Sequence, residues 1–230
     1  MQELDVYNEK GAVLLLDKPL EWTSFDVVNK IRYAGKFKKV GHAGTLDPLA
    51  TGLLILCVGK MTKQIETFQA QVKEYTGTFT LGKTTPSFDL ETEFDGEFDV
   101  DHITSEMLQE AKEKLTGDIE QTPPAHSAIK VNGKRAYESA RKGKEVALKS
   151  RIVTISEFDI DDKDFPLIHF RIVCSKGTYI RTIANDFGKL LNSGAHLSAL
   201  RRTKIGDFSV DDAEDVLTLS QKINSIRESL

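Results

Sequence analysis

The chain has 230 residues, 40% of them hydrophobic and 29% charged, with a formal net charge of -4. That length buries a sizeable core as one domain, or one domain with a small insertion, and the composition is ordinary for a soluble globular protein. The longest apolar run falls far short of the roughly 20 residues that cross a bilayer. The start, Met1-Gln2-Glu3-Leu4-Asp5, is acidic where a signal peptide is basic, so the expectation is a cytoplasmic protein with no membrane partner.

In chain order, Gly11 to Pro19 predicts a short buried strand, and Thr23 or Ser24 caps an amphipathic helix to about Ala34, with Phe25, Val28 and Ile31 at helical spacing. Leu53 to Val58 reads as a second buried strand and Lys60 to Phe68 as a short helix. Lys73 to Leu81 alternates as a strand does, with Tyr75 near its start. An acidic loop follows, then a helix from about Thr104. Gln121-Thr122-Pro123-Pro124 is extended, because each Pro pushes its predecessor out of the helical region. Ser127 to Val131 predicts a strand, Asn132-Gly133 a tight turn and Ala136 to Lys142 a basic helix. Ile152 to Ile160 and Leu167 to Cys174 form an antiparallel pair. Thr178 caps a helix from Tyr179 to Leu191, with Arg181 off its apolar face. Gly194-Ala195-His196 reads as a turn, and one or two acidic helices complete the chain. Irregular interleaving of strands and helices puts the fold in the α+β class, a mainly antiparallel mixed sheet flanked by helices.

One stretch stands apart, Gly41-His42-Ala43-Gly44-Thr45-Leu46-Asp47-Pro48-Leu49-Ala50-Thr51-Gly52. Its glycines and proline predict an irregular loop, held at its far end by the Leu53 strand. Asp47 is the group to weigh, since a carboxylate on a rigid mount serves as nucleophile or general base. The plainer reading of Asp-Pro is a helix cap, but Leu49-Ala50-Thr51-Gly52 ends any helix within about one turn. A phosphate loop is excluded, because Gly59-Lys60-Met61 lacks the Ser or Thr that follows its lysine.

Cys57 and Cys174 sit in apolar runs and read as buried free thiols. His42, His102, His126, His169 and His196 are scattered without ligand spacing, so no metal is expected. The charge is unevenly spread. Val27 to Leu46 carries five basic residues (Lys30, Arg32, Lys36, Lys38, Lys39) and no acidic one, while His126 to Arg151 and Arg171 to Lys204 each have a net charge of +6. Asp89 to Gln121 has a net charge of -10. Three basic segments that converge would be the footprint of a polyanion binder; each alone is equally a solvated face.

Taken together and in order, the blocks LLLDKPLEWTS, GHAGTLDPLATG, KEYTGTF, QTPPAHSAIKVNGKRAYESAR and CSKGTYIRTIANDFG, the last followed by GAHLSALRR, resemble the bacterial tRNA pseudouridine synthase B (TruB) family from about Val13 to Gly206. The resemblance implies an isomerase that acts on uridine 55 in the T loop of tRNA, breaking the N1 glycosidic bond and rejoining the ribose through C5, without metal or cofactor. It implies that Asp47 is the nucleophile, that Tyr75 packs against the target base and serves its C5 proton transfer, and that Arg181 pairs with the catalytic aspartate. His42 matches a histidine beside the flipped nucleotide, and Tyr179 and Leu200 match positions lining the base pocket. Lys18 and Pro19 match the opening motif, where a structural role suffices. The base must be everted, so an apolar wall and a stacking ring are needed.

On this reading 1–210 form a pseudouridine synthase catalytic domain, with an acidic insertion at about 84–121 and a basic one at about 126–151, and 211–230 a short acidic helical tail. Many members continue into a C-terminal PUA-type RNA-binding domain, which this chain is expected to lack. Phosphate contacts are then assigned to Lys130, Lys134, Arg135, Arg141, Lys176, Arg201 and Arg202, with the T-arm stem-loop of tRNA as partner and a monomer as the expected state. A synthase for another RNA, a tRNA-folding chaperone and a two-carboxylate glycosidase remain the alternatives, the last needing a second acid such as Asp89 or Asp186. The sequence leaves open whether Asp47 attacks the ribose or the uracil ring.

Overall fold

A computed structural model describes residue 7 and residues 9–127, 129–131, 134, 135 and 148–229, with backbone alone at 130, 131, 134 and 135. The Asn132-Gly133 turn, the helix expected at Ala136 to Lys142 and Arg141 lie outside the described residues. The elements run β1 (Ala12–Lys18), α1 (Ser24–Gly35), β2 (Val40–His42), β3 (Ala50–Val58), a 3-10 turn (Gly59–Gln64), α2 (Ile65–Ala70), β4 (Lys73–Leu81), β5 (Lys83–Thr84) and β6 (Gly96–Glu97). They continue α3 (Ser105–Lys114), β7 (Gly117–Gln121), β8 (Lys130–Val131), β9 (Lys134–Arg135), β10 (Arg151–Asp161), β11 (Leu167–Cys174) and α4 (Ile180–Leu190). The last are β12 (Ala195–Ile205), β13 (Phe208–Ser209), β14 (Glu214–Asp215) and α5 (Val216–Glu228). The α+β class and the mainly antiparallel pairing are as expected. Among the described residues no helix is long and apolar enough to cross a membrane.

The chain divides into two units, Met1–Tyr75 with Leu200–Leu230, and Thr76–Ala199. In the first, the strand order is β14-β1-β3-β12, with β2 on β3 and β13 on β12. β3 is antiparallel to β1 and β2 and parallel to β12. Leu54, Leu56 and Val58 of β3 join Leu16, Val27, Ile31 and Ile223 in one core, under α1 and α5. Leu53, Ile55 and Cys57 face a second core with Ala43, Ile205 and Val210. A strand covered on both faces needs apolar side chains at every position, which is why this run is continuous rather than alternating. Helix α1 starts on a capping box: Thr23 Oγ1 accepts from the Asp26 N–H, and the Asp26 carboxylate accepts from the Thr23 N–H at 2.8 Å.

In the second unit β4, β11, β10 and β7 follow one another in antiparallel pairing or as neighbours. Phe79 of β4 stacks on Phe170 at 4.2 Å between centroids and meets Phe158 and Phe187 at 6.3 and 5.7 Å.

Four local expectations change. Phe25 is 64% exposed, and Val27 takes the inward position with Val28 and Ile31. Thr178 does not cap α4, since its hydroxyl donates to Ser175 O and the helix starts from Tyr179 without a side-chain cap. The 194–196 turn is the start of β12, and His42, expected in the loop, lies in the short strand β2.

Candidate active site

The Asp47 loop is held by donors from three stretches of chain, residues 18–24, residue 50 and residue 202. Arg202 donates through Nη2 to Gly44 O at 3.1 Å and through Nη1 to Thr45 O at 3.4 Å. The Ser24 hydroxyl donates to Leu46 O at 3.1 Å and accepts from Leu46 N at 2.8 Å. Asp47 O accepts from Ala50 N at 3.0 Å, closing a turn. Pro48 O accepts from Glu21 N at 2.8 Å and from Lys18 Nζ at 3.3 Å. Every carbonyl from Gly44 to Pro48 therefore has a named donor. Backbone acceptors satisfied in this way hold one conformation, and the half-buried Asp47 side chain is carried on a fixed frame.

Two buried cations lie under that frame, Lys18 at 0% and Arg202 at 1% exposure. The three N–H groups of Lys18 meet Pro19 O, Trp22 O and Pro48 O. Burial lowers its pKa from 10.5 to about 8; the Asp47 charge opposes that shift and the Arg202 charge adds to it. His42 is half-buried, and its Nδ1 has no hydrogen-bond partner among the described residues. Burial lowers the His42 pKa first of all; hydrogen bonding to the Gly44 backbone opposes this and the Arg202 charge reinforces it, so the ring is neutral at pH 7. Leu200 is half-buried and registers with Ala50 across the β3–β12 pairing, and Tyr75 is 9% exposed on β4. The first unit thus brings His42, Asp47, Lys18 and Arg202 together.

The second unit holds Arg181, expected off the apolar face of its helix. It is 3% exposed and not a surface cation. Its Nη1 lies 3.4 Å from Asp89 Oδ2 and 3.4 Å from Ser87 O, and its Nη2 donates to His126 O at 3.1 Å. His126 Nδ1 and Ser127 Oγ, beside that carbonyl in sequence, are buried without partners among the described residues. The Tyr179 backbone is clamped at both ends by the Gln121 amide, N to Oε1 at 2.7 Å and O to Nε2 at 3.1 Å, and the Arg151 guanidinium lies 5.3 Å from its ring centre. Lys176 is exposed in the turn before α4.

The structure corrects one RNA contact outright. Arg202 points into the protein, donating also to Leu53 O at 2.7 Å, and presents nothing to a phosphate. Arg201 is engaged too, forking onto both Asp17 oxygens at 3.0 and 2.7 Å. Lys130, Lys134 and Arg135 lie on the β8–β9 ladder, with only their backbone described. In sequence Ser24 reads only as a cap and Asp89 only as a remote second acid, whereas Ser24 holds Leu46 and Asp89 lies against Arg181.

Two family models cover the chain: "TruB family pseudouridylate synthase (N terminal domain)" matches residues 32–180, and "tRNA pseudouridylate synthase B C-terminal domain" matches residues 181–228. The tRNA pseudouridine synthase B of Flavobacterium johnsoniae is 53% identical over 221 residues, 93% of this chain and 96% of that protein. That of Chlorobaculum tepidum is 47% identical over 218 residues, 93% of this chain and 91% of that protein. A chain of the crystal structure of a Cbf5-Nop10-Gar1 complex superposes with a TM-score of 0.75 at 26% identity, covering 98% of this chain, which spans 58% of the length of that chain. A chain of an H/ACA RNP bound to a substrate RNA containing 2'-deoxyuridine shares the fold, with a TM-score of 0.73 at 23% identity, covering 98% of this chain and 57% of that one. Matched by both family models from residue 32 to residue 228, and about half identical to full-length relatives, the chain belongs to the TruB family of pseudouridylate synthases.

Proposed function

We propose that this protein converts uridine 55 in the T loop of tRNA to pseudouridine, with Asp47 as the nucleophile. The observation that carries this reading is the loop frame. Five consecutive carbonyls tied to donors leave one ionisable side chain, Asp47, on a mount that does not yield when a nucleotide is pressed against it.

The uridine is everted, and Asp47 attacks either C1' of the ribose or the uracil ring. The C1'–N1 bond breaks while the base stays trapped. The base turns, C5 bonds to C1' as Asp47 is released, the C5 proton leaves to a base or to water, and N1 takes up a proton from water, so that substrate and product are isomers. Neutral His42 lies beside the flipped nucleotide without adding charge, and Leu200 and Tyr179 line the base. Tyr75 and Arg181 act as catalytic residues by the family pattern, Tyr75 against the ring and in the C5 proton transfer. Exposed Lys176, with Lys130, Lys134, Arg135 and Arg141, contacts the phosphates of the T arm, and the protein acts as a cytoplasmic monomer.

The test is tritium release from C5-labelled uridine in an unmodified T-arm stem-loop, comparing the wild type with Asp47→Asn. Release by the wild type alone is expected, with RNA binding kept in both. Turnover by the Asn variant overturns the nucleophile assignment. Binding without release by either protein favours a tRNA-folding chaperone.

A further inference from the structure

We propose that Arg202 is a positioning residue for this reaction: its buried guanidinium ties the entry of the Asp47 loop to its exit and so sets the direction in which the carboxylate is presented. The inference rests on Asp47 being the nucleophile. Its acceptors lie on both sides of that residue, Gly44 O and Thr45 O before it and Leu53 O after it. One rigid planar group with five N–H donors spans them, which an ammonium, a point charge on a flexible stem, does not reproduce.

The strand pairing delivers the side chain to this spot. Arg202 registers with Gly52 in the parallel β3–β12 pairing, and Gly52 has a φ of +104°. A Cβ at residue 52 would run into the Arg202 backbone, so the close approach requires glycine. The two strands therefore meet where the loop rejoins the sheet, with the guanidinium beneath it. Arg202 also acts on the neighbouring groups electrically, holding down the proton affinity of both Lys18 and His42. At 1% exposure the side chain is out of reach of RNA, so its removal acts on the chemical step rather than on binding.

The experiment measures single-turnover conversion of the T-arm stem-loop and, separately, its Kd, for the wild type, Arg202→Lys, Arg202→Met and Asp47→Asn. Arg202→Lys keeps the charge and loses the fork. It is expected to lower the single-turnover rate about 100-fold, the scale of a misplaced reacting group, while Kd stays within about threefold. The His42 ring, followed by NMR, titrates at a higher pH in Arg202→Met, because a cation is gone, and is unmoved in Arg202→Lys. A natively folded Arg202→Lys with wild-type rate, a loss confined to Kd, or an unshifted His42 in Arg202→Met overturns the proposal. Should Arg202→Met not fold, Arg202→Lys decides alone. Turnover by Asp47→Asn instead removes the nucleophile reading on which the proposal stands, so the two failures are distinct.

Discussion

An ammonium group has three N–H donors, and Lys18 faces three carbonyls, of which Pro48 O belongs to the Asp47 loop. As pH rises through about 8 the group becomes an amine with two donors, and one carbonyl loses its partner. The single-turnover rate is expected to fall on that alkaline limb, and a rate flat from about pH 7.5 to about pH 10 would count against it. Stability moves the other way. Folded Lys18 releases its proton near 8 and the unfolded chain near 10.5, so between these values the unfolded state binds more protons and the Lys18 contribution to stability rises with pH. Urea unfolding of the wild type and Lys18→Met at about pH 7.5 and about pH 10 reads this as a gap that shifts in favour of the wild type at the higher pH. Asp47 itself was legible from its loop chemistry. Arg202 was not, because Arg201-Arg202 reads as one basic patch until the segment is known to be a strand, where successive side chains point to opposite faces. Arg201 goes to Asp17 and Arg202 goes under the loop.

Helix α1 has two tasks at its first turn. Thr23 caps it, and Ser24, the first helical residue, clamps Leu46 from both sides. Thr23→Ala is expected to cost about 1 kcal/mol of stability, the usual worth of such a cap, with the conversion rate unchanged. Ser24→Ala leaves a buried N–H and C=O unpaired, at a cost of about 1–3 kcal/mol, and lowers the rate as well. Urea midpoints and single-turnover rates at one temperature separate the two; equal rates would show that Leu46 does not need its clamp. Of the elements, β1, β4, β10, β11, α1 and α3 were readable because hydrophobic period and caps agreed. β12 was hidden by Gly194 at its entry and by the polar run Arg201-Arg202-Thr203-Lys204. Pairing with β3 and β13 makes it a strand, and its own composition does not.

For the molecule as a whole, a net charge of -4 stands beside the five basic side chains exposed from Lys30 to Lys39 in the first unit and Lys176 in the second. With Arg202 buried and Arg201 paired, fewer cations than the sequence suggested remain for RNA. The plot of log K against log salt for the T-arm stem-loop is expected to have a slope of about -3, corresponding to roughly four neutralised phosphates. A slope near zero would exclude phosphate contacts as the basis of binding. Lys176→Glu should weaken binding and flatten the slope by about one unit.

The frame around Asp47 draws on residues 18 to 24 and on residue 202, so it exists only after β12 has docked on β3. No short peptide containing the loop can hold this geometry, and during folding the chemistry arrives late, with the most distant pairing. The loop frame is thus a cooperative property of the first unit. Loss of turnover on heating should coincide with loss of its tertiary signal, leaving no partly unfolded form that still rearranges uridine.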